Sequence, residues 1–114
     1  MSDRPAFRVG LLGYGTVGAA FAALLEERAE EIERFNGRRP VLGGVLTRSR
    51  GDFAEILAGA DLIVEVMGGI EPAREYLLQA MRAGKHVVTA NKQLLSQHGE
   101  ELWDEARRQG VQLR

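Results

Sequence analysis

Residues 7–18, Phe7-Arg8-Val9-Gly10-Leu11-Leu12-Gly13-Tyr14-Gly15-Thr16-Val17-Gly18, decide the fold of this chain. Phe7 to Leu12 is a short apolar run that stops at Gly13, the pattern of a strand buried on both faces. From Thr16 the apolar period lengthens: Val17, Phe21, Leu24, Leu25, Ile32 and Phe35 recur at helical spacing. Glu26, Glu27, Glu30, Glu31 and Glu33 fill the other face as a solvated surface, and Asn36-Gly37 supplies a helix stop. Between strand and helix stand Gly13, Gly15 and Gly18, spaced GxGxxG. In that setting the first glycine allows a tight turn and the second lets the backbone approach a pyrophosphate. The third lets the helix pack closely on the strand. Free amides and the positive end of the helix dipole then favour phosphate. Gly13, Tyr14, Gly15, Thr16, Val17 and Gly18 are therefore read as a dinucleotide site; the plainer reading is a glycine turn used only in packing.

The same alternation continues along the chain. Val41 to Thr47 reads as a second strand, and Asp52-Phe53-Ala54-Glu55 matches a capping box opening a short helix that Gly59 closes. Leu62 to Met67 is a third strand ending at Gly68-Gly69. Pro72 suits the first turn of a helix, with Ala73, Tyr76, Leu77, Ala80 and Met81 as its apolar stripe and Gly84 as its stop. His86 to Thr89 is a fourth strand, and Leu94 to Gln109 is a helical region with a break near Gly99. Val111 to Arg114 reads as the start of a fifth strand. Strands alternating with helices imply parallel βαβ units with right-handed crossovers. The expected fold is α/β: one domain over residues 1–114, a Rossmann-like doubly wound parallel sheet truncated at the start of the fifth strand. Such sheets usually have six strands, so the chain is expected to be the N-terminal part of something longer.

Composition bounds the function. The 114 residues suit one domain able to bury a core. Fifteen Lys and Arg against 16 Asp and Glu leave a formal charge of −1, so no global basic field favours nucleic acid or an acidic membrane. The absence of Cys excludes disulfides, Cys-ligated zinc and a thiol nucleophile. No metal cluster or nucleophile–base pair is evident, and two distant His suggest no metal site. No apolar run approaches the roughly 20 residues of a membrane span, and residues 1–8 carry no signal core. The expected location is the cytoplasm.

Further candidates follow the strands. No acidic residue stands after the second strand to accept from the ribose 2′-OH of NAD; Thr47-Arg48-Ser49-Arg50 stands there instead. Cations and hydroxyls suit a 2′-phosphate, so NADP is preferred over NAD with Arg48 as its contact, unless Arg48 and Arg50 are merely solvated. Glu65, in an apolar strand, should sit near its C-terminal end bonded to an amide or polar group. Gly68 and Gly69 fall on the ligand-binding edge, either close to the nicotinamide half or as a turn into the next helix. Thr89, Ala90, Asn91 and Lys92 fall on the same edge. There Lys92 suits a carboxylate or carbonyl oxygen and Asn91 a substrate or the nicotinamide amide, while a solvated lysine is the plainer reading. His86 is read as structural, His98 as a helix-surface residue, and Trp103 as core or interface.

Val9 through Gly18, then Glu65-Val66-Met67-Gly68-Gly69, then Gly84-Lys85-His86-Val87-Val88-Thr89-Ala90-Asn91-Lys92 together resemble homoserine dehydrogenase. The likeness covers nearly the whole chain, as that family's N-terminal nucleotide-binding domain. The glycine motif is shared with many oxidoreductases; the other two elements, in this order, are more specific. The resemblance implies NAD(P)-dependent interconversion of L-homoserine and L-aspartate 4-semialdehyde, on the route to threonine, isoleucine and methionine. It implies Lys92 as the catalytic lysine near nicotinamide and substrate, with Thr89, Asn91, Gly68 and Gly69 bordering the cofactor and Arg48 the basic residue of NADPH-binding members. It also implies a small-molecule substrate and a homo-oligomer as the full-length enzyme. The family's substrate domain is absent, so this chain alone is expected to bind cofactor without turnover.

Two other readings compete. Sugar-type oxidoreductases carry a similar GKHV strand but follow it with Glu-Lys-Pro, where this chain has Asn91-Lys92-Gln93. A non-catalytic NAD(P)(H)-sensing module needs the glycine motif but has no reason to keep a lysine-bearing loop at the nicotinamide end.

Overall fold

The computed structural model describes residues 5–114. Four strands and four helices alternate: β1 (Phe7–Leu12), α1 (Thr16–Asn36), β2 (Pro40–Leu46), α2 (Phe53–Gly59), β3 (Leu62–Glu65), α3 (Ala73–Arg82), β4 (His86–Thr89) and α4 (Lys92–Gln109). All pairings are parallel, in the order β2-β1-β3-β4. Leu113 adds a parallel bridge to Val87, with Arg114 donating to the Val87 carbonyl and accepting from the Thr89 amide. This is the fifth-strand start expected from Val111 to Arg114. His86 is structural here: its Nδ1 accepts from the Gln112 amide at 3.0 Å.

Alternation along β1 sends its side chains to two faces. Val9, Leu11 and Val64 pack against Phe21, Ala22 and Leu25 of α1. Leu12, Leu46, Ile63 and Val87 pack on the opposite face with Leu77, Leu78 and Met81 of α3 and Leu94, Leu102 and Ala106 of α4. Helices on both faces of a parallel sheet are the doubly wound arrangement. Arg74 fastens α3 to α4. Its guanidinium donates to both oxygens of Glu101, at 2.7 and 2.5 Å, and to Glu71 at 3.2 Å. The Glu101 carboxyl is held below the ordinary carboxylate range by Arg74, which is itself raised.

Several boundaries differ from the sequence expectations, each for a local reason. β3 ends at Glu65 rather than Met67, because the Glu65 carboxylate takes the amides of Met67 and Gly68 and turns the chain. β2 runs one residue earlier than expected, and its register with β1 skips Gly43. Pro72 stands just before α3; its carbonyl accepts from the Tyr76 amide. α4 starts at Lys92 because the Asn91 side chain accepts from the Leu94 amide, and it kinks at His98, beside the expected break. In α1, Val17, Leu24 and Phe35 are exposed although their spacing matches an inner face, and Trp103 on α4 is also exposed. The apolar stripe of α1 is narrower than the periodicity implies: Phe21, Ala22 and Leu25 reach the sheet.

Candidate functional site

The carboxyl ends of the four parallel strands lie along one edge of the sheet. The chain leaves β1 for β2 on one side and returns to β3 on the other, so the topological switch lies between β1 and β3. Ligands of open α/β sheets bind outside the strand ends at such a point. A cleft of about 560 Å³ opens there, lined by Gly13, Tyr14, Gly15, Leu46, Thr47, Arg48, Val66, Met67, Pro72 and Tyr76.

The turn from β1 into α1 is built for close approach. Gly13 has φ +104°, and its amide donates to the Leu46 carbonyl at 2.8 Å. A Cβ on Gly18 would lie 2.4 Å from the Gly13 carbonyl oxygen. Packing therefore demands these two glycines. It does not demand Gly15, whose φ is −79° and whose Cβ would meet nothing within 4 Å among the described residues. An open position there is what an approaching phosphate needs. α1 has no side-chain cap, so its first-turn amides stay available.

Charge placement along the edge is selective. α2 and α3 carry Glu55 and Glu75 in their first turns, the arrangement that neutralises a helix N-terminus. α1 and α4 have no acidic residue there. α4 opens with Lys92, which is exposed and without a hydrogen-bond or ion-pair partner among the described residues. A cation at the positive end of a helix is unfavourable by roughly 0.3–1 kcal/mol, so the fold concentrates positive potential here at its own expense. Arg48 is likewise exposed and unpaired among the described residues, on the wall of the cleft.

The sequence candidates separate into two groups. Gly13, Tyr14, Gly15 and Arg48 line the cleft; Thr16, Val17 and Gly18 form the helix start behind it. Gly68, Gly69, Thr89, Asn91 and Lys92 lie on two neighbouring turns after β3 and β4, outside the cleft's lining. Asn91 is buried and committed: its Nδ2 donates to the Gly69 carbonyl at 2.6 Å, and its Oδ1 accepts from Leu94 at 3.0 Å. Its side chain works on the protein, and its effect on a ligand would pass through Lys92 and the Gly69 turn. The Thr89 hydroxyl donates to Glu65 Oε1 at 2.5 Å and accepts from the Asn91 amide at 3.0 Å.

Sequence reasoning missed Leu46, Val66, Met67, Pro72 and Tyr76 as cleft residues. Tyr76 sits on the helical stripe of α3 and so reads as core, yet it stacks on Phe53, ring centroids 4.1 Å apart, while lining the cleft. No signal in the linear sequence marks that double exposure.

Comparison with known proteins agrees with this fold. The family model for the homoserine dehydrogenase NAD-binding domain matches residues 13–114. A homoserine dehydrogenase from Neisseria gonorrhoeae is 38% identical, over 90% of this chain and 27% of its own length. The crystal structure of S. aureus homoserine dehydrogenase at pH 7.0 superposes with a TM-score of 0.87 at 36% identity, covering 97% of this chain and 32% of that one. A hyperthermophilic archaeal homoserine dehydrogenase in complex with NADPH shares the fold, with a TM-score of 0.78 at 19% identity over 96% of this chain and 43% of that one. The chain thus spans about a quarter to two-fifths of the length of these proteins.

Proposed function

The chain belongs to the family of homoserine dehydrogenase NAD-binding domains, and from that premise we propose that it is the N-terminal dinucleotide-binding part of a longer enzyme. That enzyme interconverts L-homoserine and L-aspartate 4-semialdehyde, with NADP preferred over NAD. The observation that carries the cofactor site is Gly15: the fold has no packing need for a glycine there, whereas a pyrophosphate over the α1 amides does. Arg48, unpaired on the cleft wall, supports a 2′-phosphate contact, and the NADPH held by the archaeal relative accords with it.

A bound nicotinamide supplies the hydride acceptor in one direction and the donor in the other. The chain's own contribution lies in placement and charge. Gly13 to Gly18 would hold the phosphates of the cofactor at the uncapped start of α1. Gly68 and Gly69 keep one wall of the nicotinamide end low. Lys92 would stand toward the reacting oxygen: as the ammonium it stabilises the alkoxide that develops when the aldehyde is reduced and gives it a proton, and as the neutral amine it takes the hydroxyl proton in the reverse direction. Thr89 and Asn91 hold the backbone that presents Lys92. The substrate's remaining contacts come from the rest of the enzyme, so this chain binds cofactor without turnover. The complete enzyme is proposed to be a cytoplasmic homo-oligomer.

Calorimetric titration of this chain with NADPH and NADH tests the reading. Tighter binding of NADPH, weakened by Arg48→Ala, supports both parts. Equal binding of NADH keeps the dinucleotide site and removes the Arg48 contact. Binding of neither would refute this chain as a self-sufficient cofactor site.

A further inference from the structure

Glu65 is fully buried at the end of β3, has no ion-pair partner among the described residues, and takes no part in the proposed chemistry. Its two oxygens accept four hydrogen bonds. Oε2 receives the backbone amides of Met67 and Gly68 at 2.9 and 3.0 Å, and the side-chain Nδ2 of Asn91 at 3.4 Å. Oε1 receives the Thr89 hydroxyl at 2.5 Å. Asn91 closes the circuit by donating to the Gly69 carbonyl at 2.6 Å. The turn after β3 and the turn after β4 are thereby fastened to each other through one carboxylate.

The requirement is specific. Gly68 and Gly69 have φ of +80° and +74°, yet a Cβ on either would meet nothing within 4 Å. Conformation, not space, selects glycine there, and two successive glycines are the most freely moving pair a chain can hold. A carboxylate accepts on both oxygens, two amides on one and the Thr89 hydroxyl on the other; Gln keeps one acceptor, and its amide would have to donate to Thr89, reversing that hydrogen bond.

We propose that Glu65 is a positioning residue for the nicotinamide half of the site, holding the Gly68–Gly69 turn and the Thr89–Lys92 turn in mutual register before the cofactor arrives. The proposal rests on the dinucleotide reading above. Without Glu65, ordering of the two glycines shifts to the binding step and subtracts from affinity.

The test compares two ligands on the same chain: NADPH, which spans both halves of the site, and 2′,5′-ADP, which carries only the adenosine half. Wild type, Glu65→Gln and Thr89→Val are titrated by calorimetry, with circular dichroism confirming the fold of each. Thr89→Val removes the hydroxyl that bonds Glu65 Oε1 and that takes the Asn91 backbone amide, leaves the Met67 and Gly68 amides on Glu65, and carries the comparison if Glu65→Gln does not fold. The expected result is NADPH binding about tenfold weaker in the variants with 2′,5′-ADP affinity unchanged. Unchanged NADPH affinity overturns the proposal, as does an equal loss for both ligands, which marks a merely structural role. If wild type binds neither ligand, the dinucleotide reading itself fails and the proposal falls with it.

Discussion

Gly15→Ala and Gly18→Ala place the same methyl group three residues apart in one turn, with opposite expected consequences. At Gly18 the methyl would lie 2.4 Å from the Gly13 carbonyl oxygen and 3.0 Å from its carbon. Both atoms are backbone, so the start of α1 must move off β1. Overpacking of this kind costs about 1–3 kcal/mol. In a domain of this size it lowers the melting midpoint by about 4 °C per kcal/mol. At Gly15 the methyl enters open space at an ordinary φ of −79°. Reduced entropy of the unfolded chain stabilises by about 0.4–1 kcal/mol. The weaker capping of Ala at this N-cap position offsets a similar amount. Net stability should stay within about 0.5 kcal/mol of wild type. Binding is another matter, because the methyl stands where phosphate oxygens would meet the α1 amides. Loss of charge-assisted hydrogen bonds worth about 1.5–3 kcal/mol weakens NADPH by roughly ten- to a hundredfold. Chemical denaturation and calorimetry on both variants separate the effects. Gly15→Ala that melts early, or binds NADPH as wild type does, would refute the argument that this glycine serves a ligand.

In the complete enzyme, Lys92→Ala should reduce turnover strongly with little change in cofactor affinity; near-normal steady-state rates would dismiss its catalytic role. Stability should also depend on acid. Glu101 is lowered by its hydrogen bonds from Arg74, and Glu105 chiefly by Gln109, with Arg108 and Arg82 adding to it. Because both folded carboxyls titrate below their unfolded counterparts, the unfolded chain takes up protons first. Their contribution is complete above about pH 4.5 and fades as the pH falls through the lower folded values. Denaturation midpoints measured from pH 7 to pH 3 should drop at the acid end, less steeply in Glu101→Gln. A flat profile would remove the α3–α4 clamp as a source of stability.

The order of elements was legible in the linear sequence because each signal is local. The period of β1, the glycine triplet, the capping box at Asp52 and the stop at Gly84 act within a few residues of one another. The candidate edge was legible for the same reason: in a parallel sheet every turn after a strand falls on one side, so Gly13, Arg48, Gly68 and Lys92 share an edge once the strands are recognised. Tertiary structure decided which of those residues line the cleft and which bond to the protein. Asn91 reads as a ligand contact, yet its Oδ1 caps α4 at Leu94, three residues on, and its Nδ2 bonds Gly69, which meets it only when β3 and β4 lie side by side. Tyr76 reads as core, yet α3 sets it at the cleft rim against Phe53. Glu65 reads as a carboxylate in need of some partner, but its partners come from two turns: the Met67 and Gly68 amides are local, while the other two of the four donors, Thr89 and Asn91, reach it through the register of β3 with β4. Hydrogen-bond partners distant in sequence are assigned by strand register, and register becomes definite only when the sheet closes over both faces of its core.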